Sequence, residues 1–197
     1  MHVASTETSS HTVSYLILCL LRNPDAKTRL QQELDTCISS AAFEDTSLLN
    51  CTDIMNLPFL AQCLKESMRL LSVIGGGPKR ILTQNITYEG MFLPKGSMFV
   101  AAFYSMFRQP WIDSPEDFIP DRWSDSNPQH AKLKDMLMSF GAGKRQCIGQ
   151  NLAKMEVALI AGYVLRFFDF KMMSEPNEEL FLTAKPVDFD VTVNLRT

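Results

Sequence analysis

Hydrophobic positions recur in helical register in three segments between Ala4 and Leu71. Residues 4–21 are mostly apolar and predict a helix buried on most sides. That segment is entered through Ser5-Thr6-Glu7-Thr8-Ser9-Ser10, a run that by residue type reads as an N-capping cluster at a helix start. Asn23-Pro24 interrupts the pattern, and residues 25–38 predict a second, amphipathic helix. Residues 39–51 read as a loop. Residues 59–71 predict a third helix, with Leu60, Leu64, Met68 and Leu71 recurring every three to four positions.

Gly75-Gly76-Gly77-Pro78 ends that regime, and no phosphate-loop spacing surrounds the glycines. Short apolar bursts follow: residues 86–88, a Glu89-Gly90 turn, residues 91–93, Pro94-Lys95-Gly96, then residues 98–103. They predict a hairpin and a further strand. Residues 109–139 are rich in Pro, Asp and Ser with interspersed aromatics, which predicts irregular structure held by side chains. Residues 148–168 predict a long apolar helix, and residues 180–195 short strands. No repeat and no domain boundary interrupts the chain.

Composition narrows the class. The 197 residues are 46% hydrophobic and 21% charged, which is globular rather than disordered. A net charge of −3 gives no general reason to expect a nucleic-acid partner. The longest apolar run, residues 15–21, is too short to cross a bilayer, and the opening residues do not read as a signal peptide. Five cysteines, at 19, 37, 51, 63 and 147, suit neither a disulfide framework nor a C-x-x-C metal site. Cys19, Cys37 and Cys63 read as small buried apolar side chains. His2, His11 and His130 form no metal-ligand pattern and read as surface or loop residues.

The chemistry concentrates at Phe140-Gly141-Ala142-Gly143-Lys144-Arg145-Gln146-Cys147-Ile148-Gly149. Glycines let the backbone turn tightly and approach a flat cofactor. Cys147 falls at the expected start of a helix, where free N–H groups favour a thiolate. Arg145 offers planar donors to a carboxylate, and Phe140 an apolar wall. A lone cysteine beside a glycine would read as a structural thiol. Here five positions match F-x-x-G-x-R-x-C-x-G, and the string resembles the haem-binding loop of the cytochromes P-450, the haem-thiolate monooxygenases.

Three further segments follow that family's order. Glu66-Ser67-Met68-Arg69 matches E-x-x-R, whose spacing puts both side chains on one helix face. By itself such a pair reads as a solvated surface ion pair. Phe118-Ile119-Pro120-Asp121-Arg122-Trp123 matches P-x-R-[FW], and the resemblance implies that Glu66, Arg69 and Arg122 cluster to pin the irregular segment beneath the haem. Ala4-Ser5-Thr6-Glu7-Thr8-Ser9 resembles the oxygen-binding segment A-G-x-[DE]-T-[TS], with Ser5 at the usual glycine. Glu7 and Thr8 would then be the catalytic acid–alcohol pair that relays protons.

The resemblance implies a mainly α fold with small β-sheets, the C-terminal part of the cytochrome P-450 fold. Residues 1–197 would be a partial domain whose N-terminal half is absent. It also implies haem b, with Cys147 as axial ligand and Arg145, Arg80, Phe140, Gly143 and Gly149 around the cofactor. A second propionate contact, often a histidine before R-D-P, is missing, because the segment here is Phe107-Arg108-Gln109-Pro110. The implied reaction inserts one atom of dioxygen into a lipophilic substrate, with electrons from NADPH through a reductase. Lys132, Lys134, Lys144 and Lys154 could attract that partner, or be solvated lysines. The full-length protein would sit on the cytoplasmic face of the endoplasmic reticulum, attached through the absent anchor. Haem-thiolate isomerase or dehydratase chemistry, and a truncated non-catalytic product, are the alternatives. The isolated chain is expected to hold haem poorly.

Overall fold

The computed structural model describes the backbone of residues 2–180, 184–187 and 189–196, and the side chains of that set except those of 2–5, 178–180, 184, 185 and 187. Four helices build the main core: α1 (His2–Arg22), α2 (Pro24–Cys37), α4 (Pro58–Leu70) and α7 (Gln150–Phe167). Shorter helices are α3 (Cys51–Met55), α5 (Phe103–Met106) and α6 (His130–Met136). Among the described residues, four antiparallel two-stranded sheets pair β1 (Lys79–Ile81) with β4 (Met98–Val100), β2 (Ile86–Tyr88) with β3 (Met91–Leu93), β5 (Phe168–Met172) with β8 (Val191–Leu195), and β6 (Asn177–Leu180) with β7 (Ala184–Val187). The result is the expected helix-rich architecture with small sheets.

The core is aliphatic. Leu16, Leu30, Leu34, Leu60, Cys63, Ala161 and Leu165 interdigitate among the four helices. Each fully buried leucine contributes about 1.5–3 kcal/mol relative to an exposed one. Residues 5–10 lie inside α1 rather than ahead of it, so they are not an N-capping cluster. The hydroxyls instead bond back along the helix: Ser10 to the Glu7 carbonyl, Thr12 to the Thr8 carbonyl and Ser14 to the Ser10 carbonyl, at 2.8–3.0 Å. The side chain of Ser5 lies outside the described residues.

Helix α4 begins at Pro58 with no capping side chain at Leu57. Glu33 of α2 supplies the cap from outside: its two oxygens accept from the N–H groups of Phe59 and Leu60, each at 2.8 Å. The C-terminal end of α7 is closed in the same way by Arg196, which donates to the carbonyls of Leu165 and Arg166 while pairing with Asp35.

The 86–93 hairpin forms as expected, with Glu89 and Gly90 both at positive φ in its turn. The expected 98–103 strand is shorter, because Phe103 enters α5 and stacks on Phe107 at 5.3 Å. Residues 39–51 hold two 3-10 turns before α3, a helix the apolar spacing did not reveal. Part of the expected tail strand, residues 181–183 and 188, lies outside the described residues. Cys19 and Cys63 are buried and Cys37 half-buried, and burial pushes the thiols of Cys63 and Cys37 up. Two histidines differ from the surface expectation. His11 is half-buried in α1 with Nδ1 enclosed, and His130 opens α6 with Nδ1 3.1 Å from Asp125. Among the described residues, no helix is long and apolar enough to cross a membrane.

Candidate functional site

A cavity of about 460 Å³ opens between α1, α4 and the loop that precedes α7. Its wall is mostly apolar, from Leu60, Leu64, Met68, Val73, Phe103 and Val157. Thr8, Ser9 and Thr12 reach it from α1, Arg80 from β1, and Phe140, Gly141, Arg145 and Cys147 from the loop. Of the residues singled out in the sequence, this cavity therefore gathers Thr8, Arg80, Phe140, Arg145 and Cys147.

The loop owes its shape to local hydrogen bonds. The Cys147 N–H donates to the Phe140 carbonyl at 2.8 Å, closing it, and Gly143–Arg145 form a 3-10 turn within. Gly141 and Gly143 sit at φ +73° and +66°, the left-handed region that favours glycine. Gly143 thus shapes the loop without lining the cavity. Gly149 caps α7 at an ordinary φ of −89°, and a β-carbon there would stand 4.0 Å from Cys147 Sγ, a normal contact. Cys147 lies two residues ahead of that cap, so α7 itself starts later than the sequence suggested. Its thiol is exposed.

Two arginines face the cavity without burial. Among the described residues Arg80 donates only to the neighbouring Lys79 carbonyl, at 2.8 Å, and Arg145 is exposed. Both guanidiniums keep donors for an anionic group. Phe107, at the position of the missing contact, is fully buried and turns its carbonyl to Arg69. Glu7, next to Thr8, is exposed and stands outside the cavity wall.

Glu66, Arg69 and Arg122 meet away from solvent, at 0%, 0% and 4% exposure, so the solvated-pair expectation fails. Five N–H groups converge on the Glu66 carboxylate: Arg69 Nε and Nη2 at 2.9 Å, Arg122 Nε at 2.7 Å, Trp123 Nε1 at 2.8 Å and the Ile119 backbone at 3.0 Å. Two guanidiniums against one carboxylate leave an excess positive charge. Carbonyls of the irregular segment offset it, Phe107, Pro115 and Asp117 for Arg69, and Asp113 and Ser114 for Arg122. This cluster ties residues 107–123 to α4, whose other face lines the cavity. The role of Trp123 had no signal beyond its place in the motif, and the five carbonyls had none at all.

The arrangement of motifs has a match among known proteins. The sequence model of the family described as Cytochrome P450 covers residues 1–191. The chain belongs to the cytochrome P450 family. Human cytochrome P450 2U1 is 28% identical over 202 residues, with 100% of this chain and 36% of that protein covered. Mouse cytochrome P450 2C38 is 30% identical over 90% of the chain and 35% of its own length. The cytochrome P450 monooxygenase BOT1 of Botryotinia fuckeliana is 36% identical over 79% of the chain and 29% of its own. A crystal structure of the cytochrome P450DA heme domain superposes with a TM-score of 0.85 at 24% identity, covering 97% of this chain and 42% of that one. The chain thus spans about a third of the length of these curated P450 relatives.

Proposed function

We propose that this chain supplies the cysteine-bearing part of a haem-thiolate monooxygenase acting on a lipophilic substrate. The observation that carries the reading is the sharing of one apolar cavity by Cys147, Thr8 and the two guanidiniums of Arg80 and Arg145. Such a donor set suits haem b: a soft thiolate for iron, cations for two carboxylates, and apolar walls for the ring. Bound there, haem would supply the activation of dioxygen.

The chain's own residues would do the following. Cys147 Sγ would ligate the iron from a loop held by the Cys147–Phe140 backbone bond and the left-handed glycines. Arg80 and Arg145 would orient the cofactor through its carboxylates, and Phe140 would exclude water beside the ring. Thr8 Oγ1, on the cavity wall, would hold a proton near the oxygen site, and Glu7, on the solvent side, would exchange protons with bulk water. Glu66, Arg69 and Arg122 would support the loop and take no part in the chemistry. Electrons would come from NADPH through a reductase. The exposed Lys134 and Lys144 offer it cations, whereas Lys132 lies over Trp111 and Lys154 over Phe140. Attachment to the endoplasmic reticulum would reside outside these residues.

Haemin titration followed by reduction under carbon monoxide tests this. The expected result is a red-shifted Soret band of thiolate-ligated haem at excess haemin, lost in Cys147→Ala. Much of the haem should leave on gel filtration, because the thiol and both arginines face solvent. An identical spectrum from the wild-type chain and Cys147→Ala would overturn the proposal.

A further inference from the structure

Thr8, Ser9 and Thr12 of α1 all line the cavity, and Ser9 is the one whose hydroxyl reaches across to another helix. Thr12 bonds back to the Thr8 carbonyl, whereas Ser9 Oγ donates to Glu156 Oε2 of α7 at 3.4 Å. That is long for a hydroxyl–carboxylate bond, as catalytic hydrogen bonds often are before their site is filled. Ser9 is buried and Glu156 half-buried. Among the described residues Glu156 has no other hydrogen bond or ion pair. Its neighbours in α7 divide two ways. Ala153, Val157 and Ala158 line the cavity, while Leu152 and Ile160, one turn to either side of Glu156, are exposed at 51% and 47%. Glu156 therefore stands behind Ser9 as seen from the cavity, with its remaining exposure towards solvent.

We propose that Glu156 and Ser9 form a proton inlet to the cavity, an acid–alcohol pair assembled from two helices rather than from neighbours in sequence. It adds a second route to that of Glu7, which is exposed and outside the cavity wall. The proposal rests on the haem reading for what consumes the proton, and not for the transfer itself. In the step, the O–H bond of the Glu156 carboxyl breaks as its proton moves to Ser9 Oγ, and the original Ser9 proton passes to an acceptor in the cavity. Ser9 is a neutral hydroxyl before and after, and the Glu156 carboxylate regains a proton from bulk water. No oxidation state changes. Run in reverse, the pair removes a proton from an acid held in the cavity, in the direction that the Ser9–Glu156 bond already points.

The reverse direction gives a test without haem. 2-Naphthol, a small apolar hydroxyarene that becomes a strong acid on excitation, is added to excess chain, and naphtholate emission is compared with that of neutral naphthol. Probe anisotropy checks that the same fraction is bound in every variant, and circular dichroism that each is folded. Bound probe in the wild-type chain is expected to emit as naphtholate. Glu156→Gln and Ser9→Ala should each lower the naphtholate-to-naphthol ratio several-fold. Ser9→Thr, which keeps a hydroxyl, should hold it near the wild-type value, and Glu89→Gln, at the exposed hairpin turn, should leave it unchanged. No naphtholate emission from the bound probe in the wild type, or a ratio unaffected by Glu156→Gln, would overturn the proposal. Failure of haemin to bind would sink the haem reading instead, and shows in a separate measurement.

Discussion

The indole N–H of Trp123 donates to Glu66 Oε2 at 2.8 Å, in a place where neither side chain is more than 2% exposed. This bond joins the irregular segment to α4 through a carboxylate that also receives two guanidiniums. A buried charge so surrounded is costly to disturb from either side.

Trp123→Phe keeps an aromatic ring and removes the indole donor. It should destabilise the chain by about 1.5–3 kcal/mol, the usual range for a hydrogen bond to a charged group. Glu66→Ala strands both guanidiniums and should cost about 3–5 kcal/mol. Urea unfolding followed by circular dichroism checks both. A Glu66→Ala change no worse than Trp123→Phe would mean that the cluster is not a single charged unit.

Gly77 sits at φ +69°, and a β-carbon there would come within 1.5 Å of the Ala101 carbonyl oxygen. Gly90 has φ +80° but open space around it. Gly90→Ala should therefore cost only the left-handed strain, about 1–2 kcal/mol, while Gly77→Ala should cost clearly more, because backbone must move. Comparing their thermal midpoints tests the ranking.

Glu33 caps α4 from a neighbouring helix. Glu33→Ala should lower stability by about 0.5–2 kcal/mol, as loss of a helix cap does. Glu33→Gln, which keeps one acceptor oxygen, should recover part of that. Hydrogen exchange at the amides of Phe59 and Leu60 provides the local readout, with faster exchange expected in Glu33→Ala.

The hydrogen bond from Lys27 holds the Asp169 carboxyl below its ordinary value of 3.8, helped by charge attraction from Lys27 and bonds from Gln31 and the Phe170 amide. A depressed folded-state pKa stabilises the chain above the unfolded value and loses that stabilisation as pH falls through the folded one. The wild-type urea midpoint should therefore fall as pH drops below about 4. Asp169→Asn should start lower at neutral pH and show a shallower acid decline. Parallel acid limbs for the two proteins would remove Asp169 from the acid response.

The long helices were legible in the chain because α1, α2, α4 and α7 carry sustained apolar periodicity, broken at Pro24 and Pro58 where a proline can open a helix. The 86–93 hairpin was legible from Glu89-Gly90 between two apolar triplets. Helix α3 was not, since five residues hold too little periodicity to register. Strand β1 was not, since Lys79–Ile81 acquires its partner only when β4 arrives from seventeen residues onward.

Local order along the chain settled which residue types could do chemistry: a cysteine between glycines, an arginine two positions before it, an acid beside an alcohol. Those are matters of covalent sequence and short-range backbone geometry. Tertiary structure decided what each of them meets. Glu66 and Arg69, an ordinary helical pair by spacing, became the hub of a buried network only because residues 107–123 fold over them and turn five carbonyls inward. Thr8 reached the cavity while Glu7 stayed outside, because one step along a helix turns a side chain by roughly 100°. Lys65 came to face apolar walls while its neighbour Glu66 faced two arginines, for the same reason of helical rotation. Periodicity is written in the chain itself, but burial and charge environment belong to the partners that a helix face finds.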